Sequence, residues 1–200
     1  RMQAGEQPFD GIQLLLVTHG DVDHFDAGLV AGFLQGNPQA RLVAPAELVE
    51  EARKQPQMRG AESRAAGLRL ALGETAERAA GGIRVRAIRL RHHPERETQT
   101  FAYLIHMGRR TILHMADSTF SDNADLIEKL TFPPVDAAFL EQFDTSAESA
   151  AILARKVKPA KIAPMHFYVE RLEEQAAAFL KVYPGALVFR RPMEHVEISE

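Results

Sequence analysis

The chain has 200 residues and a net charge of −3, with 46% hydrophobic and 26% charged residues. That length suits a single domain spanning residues 1–200 with a sizeable core, the composition is that of a globular protein, and the charge gives no sign of a polyanionic partner. There is no cysteine, which excludes disulfides, thiolate metal sites and a cysteine nucleophile.

No apolar run approaches the ~20 residues of a membrane span, and no secretory leader is visible, so a cytoplasmic location is expected. The first residue is Arg1 rather than Met, which suggests a longer gene product.

In chain order, residues 1–10 read as a loop or short helix. Residues 12–17 are apolar apart from Gln13 and read as a buried strand. That strand runs into His19-Gly20-Asp21-Val22-Asp23-His24, two imidazoles and two carboxylates within six residues. Carboxylates this close repel, and burying them unpaired is costly. A divalent cation resolves both problems, since imidazole and carboxylate together suit zinc, iron and manganese. Helix capping alone would need one such residue.

Residues 27–34 carry Leu29, Val30, Phe33 and Leu34 at helical spacing and are stopped by Gly36-Asn37-Pro38. Residues 41–44 form a short strand closed by Pro45. A helix is expected over 46–54, with Leu48, Val49 and Ala52 on one face. Alternating strands and helices point to an α/β layer structure. Residues 55–80, rich in Ala, Arg and Glu, suggest one short helix and a turn at Gly73-Glu74, the arginines forming a solvated face.

A strand over Ile83–Leu90 follows Gly81-Gly82 and ends at His92-His93-Pro94. By itself that pair reads as surface histidines before a turn. Residues 101–105 and 111–113 form a hairpin around Gly108 and lead into His114-Met115-Ala116-Asp117-Ser118. A helix over 124–130 precedes a strand over 135–140, after which residues 141–144 could line a mouth. A helix over 146–157 precedes a strand that ends at His166. A helix over 170–183 and strands over 186–190 and 195–198 complete the chain. His106 and His114 read as core or supporting groups, and His195 as structural.

The first loop resembles the signature of the metallo-β-lactamase fold superfamily, His-x-His-x-Asp-His, with Asp21 at the second histidine position. Ala116-Asp117-Ser118 resembles the family's Gly-Asp-Ser/Thr strand end. The resemblance implies an αββα sandwich with the site at one edge between the sheets. It implies that His19, Asp21 and His92 hold one metal, that Asp23, His24 and His166 hold a second, and that Asp117 bridges them. In the family the signature loop follows a few opening strands. Only 18 residues precede His19, so some N-terminal strands are expected to be missing.

The whole is most like the branch containing ascorbate phosphate lactonase, whose members cleave lactones, phosphodiesters and phospholipids.

Seven candidate ligands are too many for one tetrahedral ion and suit two, zinc or manganese. Two ions sharing a water bring its pKa to roughly 7, and the resulting hydroxide attacks an ester, lactone or phosphoryl centre. Asp23 and Asp117 are the expected catalytic carboxylates. The expected partner is a small-molecule or lipid-like substrate. A metal-dependent nuclease and a non-catalytic metal-binding member of the fold are the alternatives. Asp21 adds a negative charge and a hard oxygen, which shifts preference toward manganese.

Overall fold

The computed structural model describes residues 6–7 and 9–197. The helix and strand elements are β1 (Leu14–Leu16), α1 (Ala27–Gly36), β2 (Arg41–Pro45), α2 (Ala46–Arg53), β3 (Ala65–Leu68), β4 (Thr75–Ala80), β5 (Ile83–Leu90), β6 (Thr100–Met107), β7 (Arg110–His114), α3 (Ala124–Ile127), β8 (Ala137–Glu141), α4 (Ala147–Ile152), β9 (Lys161–Met165) and α5 (Leu172–Val182). The order β1-β2-β3 makes a parallel three-stranded sheet, and β4-β5-β6-β7-β8-β9 makes a mixed six-stranded sheet.

Strand periodicity divides the core into three layers, because successive side chains point to opposite faces. From β2, Leu42 and Ala44 join Phe33, Leu34 and Val49 of the helices, while Val43 turns to the other sheet. From β6, Phe101 and Tyr103 meet Val43 and Leu68 between the sheets, and Ala102 and Leu104 pack with Phe120, Leu140 and Phe179 under the outer helices. The result is the expected αββα arrangement. Each fully buried Phe contributes about 1.5–3 kcal/mol of transfer free energy. The Tyr103 hydroxyl donates to the Val17 carbonyl at 2.7 Å, tying the two sheets together, and burial pushes its pKa up.

Topology sets the position of the site. β6 is antiparallel to both β5 and β7, and β7, β8 and β9 are parallel, so β5, β7, β8 and β9 all end at the same edge of the large sheet. The Phe101 amide donates to the Thr18 carbonyl at 2.9 Å, which brings the end of β1 to that edge as well. The loops at the carboxyl ends of strands therefore converge, as they do in open α/β sheets generally.

Several expectations need correcting. β1 spans only Leu14–Leu16, because one neighbour alone pairs with it. Leu29 is exposed, since α1 buries the face carrying Val30, Phe33 and Leu34. Residues 55–80 hold two 3-10 turns and two strands, β3 and β4, rather than one helix. Their Ala- and Arg-rich composition hides strands whose stability comes from neighbours, Ala65–Leu68 on β2 and Thr75–Ala80 on β5.

Arg64 is not on a solvated face. Its guanidinium donates to the carbonyls of Leu34, Asn37 and Ala40 and so closes the C-terminal end of α1. The helix expected over 124–130 is the single turn α3, and the one over 146–157 ends in a π-helical turn over Leu153–Val157. Residues 186–190 and 195–197 are not strands, and His195 is exposed rather than structural, because this segment contributes one backbone bond to β9, from Leu187 to Ile162. Residues 1–5, 8 and 198–200 lie outside the described residues.

Candidate metal centre

The His19 loop leaves β1, and its last residues start α1, which Asp26 caps by accepting from the Leu29 amide at 2.7 Å. Asp26 performs the capping, so the four polar residues before it are free for another role. His92 follows β5, Asp117 follows β7, Glu141 ends β8 and His166 follows β9. Two of these turns take a left-handed backbone, with φ 55° at Ala116 and 65° at His166. Such conformations cost a non-glycine residue about 1–2 kcal/mol and are retained where the surroundings over-determine them.

The seven residues singled out in the sequence meet in one place. Asp117 Oδ2 lies 3.7 Å from His19 Nε2, 3.4 Å from His24 Nε2, 3.8 Å from His92 Nε2 and 3.4 Å from His166 Nδ1. His166 Nε2 lies 3.2 Å from Asp23 Oδ2 and 3.4 Å from His24 Nε2. Asp21 Oδ2 is 3.7 Å from His92 Nε2.

Neighbours orient the imidazoles. His92 Nδ1 is 2.8 Å from the Pro94 carbonyl, which only accepts, so Nδ1 carries the proton and Nε2 presents a lone pair. His19 Nδ1 meets the Thr18 hydroxyl at 3.0 Å. His93 turns away and pairs with Asp122 at 2.6 Å.

Electrostatics follow from burial and crowding. Burial, followed by the neighbouring His24, lowers His19 to about 4. Burial would raise Asp117, but the His24 hydrogen bond and the surrounding imidazoles hold it below the ordinary carboxylate range. The Asp117 hydrogen bond raises His24. Burial acts to raise the exposed Asp23 too, but the His166 hydrogen bond outweighs it and the carboxyl stays low.

Three buried polar atoms here have no hydrogen-bond partner: His19 Nε2, His92 Nε2 and Glu141 Oε1. Orphaned buried polar atoms are rare and costly. The two imidazole nitrogens face the same small volume as Asp117. The groups His19–His92–Asp117 and Asp23–His24–His166 each offer ligand atoms within 4.8 Å of one another. Ligands bonded at about 2.0–2.1 Å in a tetrahedron stand about 3.3 Å apart. The separations of 3.2–3.8 Å fall near that figure, and the donor set fits divalent metal.

Two residues alter the expected site. Glu141 is buried beside it, with Oε2 3.0 Å from His166 Nδ1, and burial pushes its carboxyl up to about 7. Glu141 orients His166 as carboxylates orient metal-binding histidines elsewhere. Its place at the end of a strand parallel to β7 and β9 is the signal that could have found it. Arg96 forms an ion pair and hydrogen bond with Asp21 Oδ2. The charge assigned to Asp21 is therefore met by a guanidinium.

His114 and His106 stand apart from the cluster. His114 Nδ1 accepts from the Ala116 amide, with burial lowering its pKa to about 4, and His106 pairs with Thr111.

The site opens into a cleft of about 610 Å³, whose wall includes Val22, Arg96, Phe143 and Tyr168. A family model described as "Beta-lactamase superfamily domain" matches residues 1–189. No curated protein matches the sequence.

Among solved structures, the metallo-beta-lactamase fold protein YhfI from Bacillus subtilis aligns with a TM-score of 0.59 at 17% identity, over 92% of this chain and 77% of its own. The metallo hydrolase Igni18 from Ignicoccus hospitalis gives 0.59 at 16% identity, over 91% and 76%. Zn(2+)-bound PqqB from Methylobacterium extorquens gives 0.54 at 18% identity, over 89% and 71%. At these identities the likeness is one of fold.

Proposed function

The chain belongs to the beta-lactamase superfamily, and from that membership and the chemistry of the cleft we propose that it is a metal-dependent hydrolase of small ester, lactone or phosphodiester substrates. The observation that carries this reading is the pair of buried, partnerless imidazole nitrogens, His19 Nε2 and His92 Nε2, beside Asp117 at the base of an open cleft.

His19, His92 and Asp117 would hold one ion and Asp23, His24 and His166 a second, with Asp117 also within 3.4 Å of His24 and His166. Bound divalent ions supply Lewis acidity and bring a water molecule's pKa down to about 7.

The protein's own groups fix the geometry. The Pro94 carbonyl and the Thr18 hydroxyl set the His92 and His19 rings, and Glu141 sets His166. The Asp117 turn is held by the segment that follows β5. The His93 amide donates to the Asp117 carbonyl at 2.6 Å, and Ser118 Oγ donates to the Arg91 carbonyl at 2.8 Å. Burial of His19, His92 and Asp117 excludes bulk water from that side, while Asp23 faces the cleft where substrate enters.

Arg96 is the one Lys or Arg among the residues lining the cleft, and it is paired with Asp21. A nuclease needs a basic track to the metals, so the lining supports a small substrate over nucleic acid.

The test is elemental analysis of protein purified without chelator, which should find one to two ions per chain, followed by assays on generic phosphodiester and lactone substrates. Chelator should abolish turnover. Protein that stays metal-free after incubation with zinc and manganese would end the hydrolase reading.

A further inference from the structure

Among the described residues, the large aromatic side chains left exposed are two: Phe143, 48% exposed, and Tyr168, 50% exposed. Both line the cleft over the candidate metal centre. The other described phenylalanine and tyrosine rings are buried or half-buried, and Phe33, Phe101, Phe120 and Phe179 are exposed to 1% or less. Single exposed apolar residues are common, but adjoining exposed rings inside a cleft are what ligand sites concentrate.

The two rings lie 6.5 Å apart, centroid to centroid, tilted by 53°. Tyr168 continues inward to the His166 ring at 6.4 Å, and Phe143 continues outward to His93 at 6.3 Å. One wall of the cleft is thus a run of neighbouring, mutually tilted rings that starts at a candidate ligand.

The wall is held in place. Gln142 Nε2 donates to the His166 carbonyl at 2.7 Å, joining the loop that carries Phe143 to the loop that carries Tyr168. Gln175 accepts from the Tyr168 amide at 3.0 Å, and the Asp144 amide donates to the Glu141 carbonyl at 3.0 Å across the turn that presents Phe143. A platform whose loops are fixed before the ligand arrives loses little entropy on binding.

We propose that Phe143 and Tyr168 form a stacking platform that seats a planar aromatic group of the substrate beside the metals, so that the substrates are aryl or heteroaryl esters or phosphoesters. The proposal rests on the hydrolase reading for the bond that is cut, and on the exposed ring pair for the group that is recognised. Both residues are specificity determinants. Neither is a candidate ligand, so metal uptake does not depend on them.

The experiment uses metal-loaded protein and two probes, phenylphosphonate and methylphosphonate, with binding measured by isothermal titration calorimetry. Stacking of one aromatic pair corresponds to a factor of about two to ten in affinity. The parent should prefer phenylphosphonate on the order of tenfold. Phe143→Ala and Tyr168→Ala should each remove most of that preference and leave methylphosphonate affinity and metal content unchanged. Phe143→Leu, which keeps apolar area without a ring face, should lose the preference as well.

Equal affinity of the parent for both probes overturns the proposal. So does a Phe143→Leu variant that keeps the full preference, or a Phe143→Ala variant that weakens both probes alike. Aryl preference in binding without turnover of any ester would end the hydrolase reading and keep the platform. Turnover without aryl preference would do the reverse. Absence of both metal and probe binding would end both.

Discussion

Asp144 is 1% exposed and joins two loops of the site. Its carboxylate accepts from the Phe120 amide at 3.1 and 3.2 Å and from the Ser149 hydroxyl, pinning the turn that carries Phe143 to the loop after Asp117. Burial pushes its pKa from 3.8 up to about 6, against the opposing pull of those hydrogen bonds.

A raised carboxyl pKa means that the native state holds the proton more tightly than the unfolded chain. The contribution to stability is therefore full below about 4 and is lost progressively as pH rises through 6, with a total of about 3 kcal/mol.

Asp144→Asn removes the titration and keeps one oxygen for the Phe120 amide, but turns an amide donor toward the Ser149 hydroxyl at a cost of about 1 kcal/mol. The variant should be about 1 kcal/mol less stable than the parent at pH 4 and about 2 kcal/mol more stable at pH 8. At pH 8 that is an upward shift in Tm of about 4–8 °C for a chain of this size.

Urea denaturation of both proteins from pH 4 to 8 measures the difference directly. Glu141, also raised by burial, titrates in both and cancels. A difference that stays flat across this range would refute the assignment of a buried, high-pKa carboxylate.

Asp21→His should move the metal ranking toward zinc in competitive titrations. An unchanged ranking would mean that Asp21 serves Arg96 alone. His92→Ala should weaken metal binding at least tenfold while His93→Ala stays within about twofold, because His93 faces Asp122; metal titration with a chelating indicator decides between them. Ala116 is buried with φ 55°, so Ala116→Val should cost about 3 kcal/mol or more in thermal unfolding. Ala116→Gly, which suits a left-handed backbone, should lie within about 1 kcal/mol of the parent.

The αββα layering is legible in the sequence wherever an element carries its own apolar signal. The run before His19, the strand Ile83–Leu90 and the pair Leu48–Val49 bury area through their own side chains. The candidate ligands are legible for a related reason. His19, His92, Asp117 and His166 each stand just past a strand, so a topology that gathers strand ends gathers them too. β3 and β4 carry no such signal. Ala65-Ala66-Gly67-Leu68 and Thr75–Ala80 are strands because β2 and β5 offer free edges, and edges belong to the assembled sheet.

Long-range partners are the part that only tertiary structure decides. The sequence supplies Asp21 with a charge but not Arg96 to meet it, and it favours His92 over His93 by resemblance alone, whereas Pro94 and Asp122 give the physical reason by orienting the two rings. It places Glu141 at a strand end without showing that His166 lies 3.0 Å away, or that burial pushes the carboxyl to about 7. The chain marks residues 141–144 as a possible mouth, and Glu141 and Phe143 do line the cleft, but nothing local pairs Phe143 with Tyr168 or shows that both rings stay exposed. Their exposure follows from the convergence of two loops on one edge of the sheet, a convergence set by strand order and direction rather than by any local pattern of residues.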